Sequence, residues 1–183
     1  NPIENCPPSQ KDCLAAYNGN SLEEDYELDD KGLKHVIFYI RTLAIPRARI
    51  ENEALFIEGQ DLFNQIGCAQ CHTPSYTTGK VAGIPQLSEQ TIYPYTDLLV
   101  HDMGPQLADH RPDFLADGQE WRTPPLWGIS QIEFVNGHMN LMHDGRARGV
   151  EEAILWHGGE GQKSRSAYKN LTESDRKKVL KFI

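Results

Sequence analysis

Apolar residues recur at helical spacing in four stretches of the chain, and the sequence between them is broken up by proline and glycine. From Asp30 to Ala44, Leu33, Val36, Ile37, Ile40, Leu43 and Ala44 fall on one side of a 3.6-residue period, and Pro46 ends the pattern. A second helical stretch, from about Glu51 to Ile66, places Leu55, Leu62, Phe63 and Ile66 near one face and leads straight to Cys68. In the third, Val150, Ala153, Ile154 and His157 stand at i, i+3, i+4 and i+7, so a histidine shares an apolar face, and Gly158-Gly159 ends the helix. The fourth begins at Thr172, which with Asp175 forms an approximate capping box ahead of Val179, Leu180 and Ile183. Between Thr73 and Asn140 only short elements fit, among them a predicted turn of helix through Thr96 to Val100.

This pattern predicts a mainly α fold with long irregular loops, built on a chain of 183 residues with 11 prolines and 15 glycines. Hydrophobic residues supply 39% of the chain, which points to a core organised around something other than its own side chains. A net charge of -8 disfavours nucleic acid and anionic membranes as partners, because both require a basic face to replace counterions. No run of 18 apolar residues exists, so no membrane span is expected, and the first residues lack the features of a signal peptide. The helical pattern at Phe182 and Ile183 continues to the last residue, which leads us to expect a fragment of a longer protein.

The chemistry concentrates in Cys68-Ala-Gln-Cys-His72, the spacing of c-type haem attachment. Two thiols one helical turn apart can each add to a vinyl group, and the adjoining imidazole then lies under the iron as proximal ligand. Zinc is the weaker reading, since Cys6 and Cys13 have six residues between them rather than two to four. A thioredoxin-like dithiol would follow a strand in a βαβ setting, and no such alternation is present. Candidates for the sixth ligand are His35, His101, His110, His138, His143, His157, Met103, Met139 and Met142. His157 stands out, because an imidazole at the end of an apolar helical face is costly to bury unless it has a partner. His143 precedes Asp144-Gly145, where a turn with the imidazole held by the carboxylate explains it.

Several stretches, taken in order, resemble the C-terminal haem domain of the di-haem oxidoreductases, relatives of the bacterial di-haem cytochrome c peroxidases. They are Gly59 to Phe63 before Gly67 to His72, Tyr93 to Gly104, Glu120 to Gly128, and His143 to Ala147 leading into Val150 to Gly159. The resemblance implies a cytochrome c-like domain over residues 30–183, preceded by a connecting segment over residues 1–29. It implies an electron-relay role, with His157 at the distal-ligand position, which is methionine in typical peroxidases. Arg122 and Trp127 are implied near the haem, and Thr123 with the carbonyl of Pro124 or Pro125 resembles a calcium-binding region. The implied cofactor is one covalent haem c, with calcium a further candidate. The implied partner is a redox protein or a second haem domain, in a bacterial periplasmic or extracellular setting. Only one attachment motif is present, so a peroxide-reactive second haem is not in this chain. Alternatives to the relay reading are a standalone monohaem electron carrier, or a monohaem peroxidase with an open iron site. Enzymatic activity of this chain alone is the lesser expectation. Cys6 and Cys13 are expected to form a disulfide, which the chain-entropy relation values at roughly 2.5 kcal/mol for a loop of about eight residues.

Overall fold

The computed structural model describes residues 8–16, 28–48 and 50–183. The chain divides into two compact units, Asn1–Ile45 and Pro46–Ile183. The first unit holds α1 (Lys11–Ala15) and α2 (Asp30–Arg41). Asp29 caps α2, its carboxylate accepting from the Gly32 N–H at 2.6 Å. The expected boundary at residues 29 and 30 precedes α2, whereas the division between the units follows it. Cys13 is disulfide-bonded, and Cys6, its expected partner, lies outside the described residues.

The second unit is helix-rich with two small antiparallel sheets. Its elements run α3 (Glu53–Gln65), β1 (Tyr76–Thr77), β2 (Thr91–Ile92), β3 (Val100–Asp102), β4 (Glu120–Arg122), α4 (Ile132–Asn136), α5 (Val150–Trp156), α6 (Gln162–Lys169) and α7 (Glu173–Phe182). Strand β1 pairs with β2, and β3 pairs with β4 with His101 opposite Trp121. The predicted N-terminal signal at Thr172 acts as expected, and α3 has a cap of its own in Asn52. Asn52 opens α3 by accepting from the Leu55 N–H at 3.1 Å, and the Thr172 hydroxyl opens α7 by accepting from the Asp175 N–H at 3.1 Å.

Helices α3 and α7 form the packed centre. A β-carbon at Gly59 would lie 2.3 Å from the Lys178 carbonyl oxygen, so the absence of a side chain there lets the two backbones approach. Around this crossing, Phe63 is 1% exposed, its ring centre 5.2 Å from that of Phe182 and 6.0 Å from that of Tyr95. Aromatic rings of this kind bury large apolar areas, and tilted or edge-on pairs add to that burial. Lys178 Nζ then ties the two helices at the surface, 3.0 Å from Glu58 and 2.9 Å from Asp175. The packing matters for function because Phe63 also faces His72, ring centres 6.3 Å apart.

One predicted element is corrected. Thr96 to Val100 is no turn of helix but an irregular approach to β3, with Leu98 at a φ of +60°. Its Leu98 and Leu99 amides are satisfied by side chains instead of by carbonyls four residues back. The Leu98 N–H donates to Thr96 Oγ1 and the Leu99 N–H to Asp97 Oδ1, both at 2.9 Å, which offers the backbone an alternative to helix.

Candidate haem-binding site

The attachment segment leaves α3 through Gly67, whose φ of +87° is open to glycine and strained for other residues. A short 3-10 turn, Cys68–Gln70, follows, and the His72 N–H donates to the Cys68 carbonyl at 3.0 Å. The backbone curls so that both cysteines and His72 issue from one turn. Both thiols are free, and burial holds the Cys68 thiol up to about 11. Cys71 is also raised, by burial first and then by the charges of Asp97 and Glu160. A redox-active dithiol needs a depressed thiol that is thiolate near neutrality, and this environment does the opposite.

His72 and His157 share one arrangement. His72 Nδ1 lies 2.9 Å from the Tyr95 carbonyl oxygen, and His157 Nδ1 lies 2.7 Å from that of Ala153. A carbonyl can only accept, so each Nδ1 carries the proton and each Nε2 carries the lone pair. No bond engages either Nε2. No sealed side-chain nitrogen or oxygen among the described residues lacks a partner, so both Nε2 atoms open onto accessible space. Burial, the first cause in each case, lowers both imidazoles below the ordinary histidine range and keeps them neutral.

The rings of these two histidines are 6.4 Å apart, centre to centre, at an interplanar angle of 49°. Two imidazoles bound through Nε2 on opposite sides of one ion, with metal–nitrogen bonds of about 2 Å, would place their ring centres roughly 6 Å apart. Donor chemistry and spacing therefore both fit an iron held between His72 and His157. The backing carbonyls supply the support that fixes tautomer and ring orientation in metal-binding histidines. At Tyr95 this support is built under strain: its φ is +54°, a left-handed value unfavourable for a side chain of this size. The residue is held there by the Gln60 amide donating to its hydroxyl at 3.1 Å, and by the next residue, whose Thr96 N–H donates to the Thr73 carbonyl at 3.2 Å.

His157 is the C-cap of α5, with extended backbone and its N–H donating to the Ile154 carbonyl. Gly158 and Gly159 follow, and α5 ends where the glycine pair predicts. Among the other candidate ligands, Met103 lies on the same side as His157: a β-carbon at Gly161 would be 3.1 Å from His157 Cβ and 3.4 Å from Met103 Cε. His143 stacks on Trp121, ring centres 3.5 Å apart and planes 9° apart, while Asp144 stands 3.9 Å away. Its main contact is therefore an aromatic face rather than the expected carboxylate. His138 accepts from the Asn140 N–H, His110 is exposed, and His35 lies on α2 in the first unit.

Arg122 is exposed at the end of β4, opposite Val100, and Trp127 is half-buried in the following loop. Neither makes a hydrogen bond, ion pair or ring contact with the Cys68–His72 turn. Their loop is nevertheless tied to the segment that backs His72, through the Thr123 N–H to the Leu99 carbonyl and the Leu126 N–H to the Pro94 carbonyl, each 2.9 Å. Thr123 is buried, and its carbonyl accepts from the Thr96 hydroxyl at 2.6 Å.

Sequence reasoning missed a charged group beside the site. His101 Nε2 is 2.8 Å from Asp97, its Nδ1 is 2.9 Å from Glu160, and Cys71 Sγ is 3.8 Å from the same nitrogen. The Glu160 contact, foremost, raises the His101 imidazole above its ordinary range. The only sequence signal was the spacing of Asp97 and His101, four residues apart, which a helix would also produce.

Residues 13–183 match the family described as "Di-haem oxidoreductase, putative peroxidase". The chain belongs to the di-haem oxidoreductase family. No curated protein and no solved structure matches it. Membership makes haem the expected cofactor of the Cys-x-x-Cys-His turn and agrees with the donor set around it. No helix among the described residues is long and apolar enough to cross a membrane.

Proposed function

We propose that this chain binds one c-type haem and works as the electron-relay domain of a di-haem peroxidase-like oxidoreductase, in a cytochrome c-like fold. In this reading Cys68 and Cys71 form the two thioether links, His72 is the proximal ligand and His157 the distal one. The observation that carries it is the pair of neutral imidazoles 6.4 Å apart, each with Nδ1 spent on a carbonyl and Nε2 free. When bound, the haem supplies one-electron oxidation and reduction. The chain's own residues supply the rest: Tyr95 and Ala153 fix both ligands from behind, and Phe63 packs beside His72 in the aromatic core.

Two histidine ligands close the iron, which favours electron transfer over reaction with peroxide, and without a thioether ligand the potential lies below that of histidine/methionine haems. Arg122 and Trp127 stand at the haem periphery in this reading, supported by the bonds that tie their loop to Pro94 and Leu99. The partner is a second haem domain or a redox protein. A disulfide-bonded Cys13 suits an oxidising setting, periplasmic or extracellular.

The test is the visible and paramagnetic resonance spectrum of the haem-loaded protein and of a His157→Gly variant. The parent should be low-spin without a sulfur-to-iron charge-transfer band, and should keep its haem on denaturation. The variant should turn high-spin and bind cyanide. An unaltered low-spin spectrum in the variant would assign the sixth position to another residue, with Met103 the first to examine.

A further inference from the structure

The loop that follows His157 is fastened to β3 in two ways. The first is steric. A β-carbon at Gly158 would sit 2.7 Å from the Met103 carbonyl oxygen, and one at Gly159 would sit 2.1 Å from that of Asp102. The backbones of this loop and of the end of β3 are thus in direct contact, with no room for side chains between them.

The second fastening is polar and centres on Glu160. Its Oε1 accepts from the Asp102 N–H at 3.1 Å, and its Oε2 meets His101 Nδ1 at 2.9 Å. His101 is held in turn by Asp97 through Nε2 at 2.8 Å, and Asp97 Oδ1 accepts from the Leu99 N–H. His101 and Asp97 are mostly covered, with side chains 16% and 11% exposed, whereas Glu160 is 57% exposed. A carboxylate that spans a backbone N–H and an imidazole makes two directed, charge-assisted bonds, unlike a surface pair free to swing. The bonded series runs from Asp97, two residues after the Tyr95 carbonyl that backs His72, to Glu160, three residues after His157.

We propose that Glu160, acting through His101 and the Asp102 N–H, is a positioning residue that holds His157 in place as distal ligand. The inference rests on the ligand assignment proposed above. His157 receives support inside its own helix from the Ala153 carbonyl, but α5 has only seven residues and ends at this histidine. The Glu160 clamp fixes the far side of the ligand, where the chain would otherwise be a glycine hinge.

The experiment compares cyanide binding rate and high-spin fraction in the haem-loaded parent, Glu160→Ala, Glu160→Asp, Glu160→Gln and His157→Gly. Loss of both charge-assisted bonds should raise the cyanide rate of Glu160→Ala about tenfold or more, with a high-spin fraction appearing. Glu160→Asp keeps the charge but is too short to reach both partners, and should open as well. It decides the matter if the alanine variant fails to load haem. Glu160→Gln should stay close to the parent, because its carbonyl can accept from the Asp102 N–H while its amide donates to a neutral His101. Parent-like rates and spectra in both Glu160→Ala and Glu160→Asp, with His157→Gly open, would overturn the clamp and leave the ligand assignment standing. A closed His157→Gly would remove both.

Discussion

Gly59 and Lys178 meet across the α3/α7 crossing so closely that a β-carbon on the glycine would stand 2.3 Å from the lysine's carbonyl oxygen and 2.8 Å from Phe182 Cβ. The obstacle is mainly backbone, so it cannot rotate away. The crossing sets where Phe63 and Phe182 lie and, through Phe63, where His72 is packed.

Gly59→Ala should therefore destabilise the protein by about 1–3 kcal/mol, the usual penalty for overpacking. An exposed helical glycine would show the reverse, a gain of up to about 1 kcal/mol. Chemical denaturation of the haem-loaded protein measures the difference. A midpoint equal to or above that of the parent would show that the helices separate at no cost.

Tyr168 predicts an alkaline dependence. Its ring is fully buried and its hydroxyl donates to Glu151 Oε1 at 3.1 Å, so burial first, and then the carboxylate, raise the phenol above its ordinary range. Above pH about 10 the unfolded chain gives up this proton while the folded protein retains it, so stability falls as pH rises. Tyr168→Phe should be less stable near neutrality by about 1 kcal/mol, the worth of one hydrogen bond. The same variant should lose less stability than the parent between pH 9 and 11, values chosen to bracket the free phenol at roughly 10. Parallel pH profiles for the two proteins would rule out Tyr168 as the source.

Trp121 and His143 stack with planes 9° apart, joining β4 to the loop before α5. Trp121 also donates its indole N–H to the Leu107 carbonyl at 3.1 Å, so removing it should cost more than removing His143. A double-mutant cycle with Trp121→Leu and His143→Leu isolates the stacking energy, expected at about 0.5–1.5 kcal/mol. Simple additivity of the two single changes would mean that the stack contributes nothing.

The sequence alone determined what depends on short range. The Cys68-x-x-Cys71-His72 spacing, the periodic apolar faces of α2, α3, α5 and α7, the Asn52-to-Gln65 and Thr172-to-Phe182 helix limits within a residue or two, and the Gly158-Gly159 stop are all local, because caps and helical periods act within one or two turns. Helix α6 escaped this reading: Gln-Lys-Ser-Arg-Ser-Ala-Tyr-Lys offers only Ala167 and Tyr168 as apolar positions, too few to show a period. Tertiary structure decided the rest. Thr96 to Val100 is not helical because the Thr96 and Asp97 side chains capture the Leu98 and Leu99 amides, and Thr96 itself bonds to Thr123, 27 residues away. Which histidine faces His72, that His143 lies on Trp121, and that Asp97, His101 and Glu160 join into one clamp follow from contacts between residues 22 to 85 positions apart, together with the local Asp97–His101 pair. Such contacts form only when α3, α7 and the β3/β4 ribbon have packed, and no local preference encodes them.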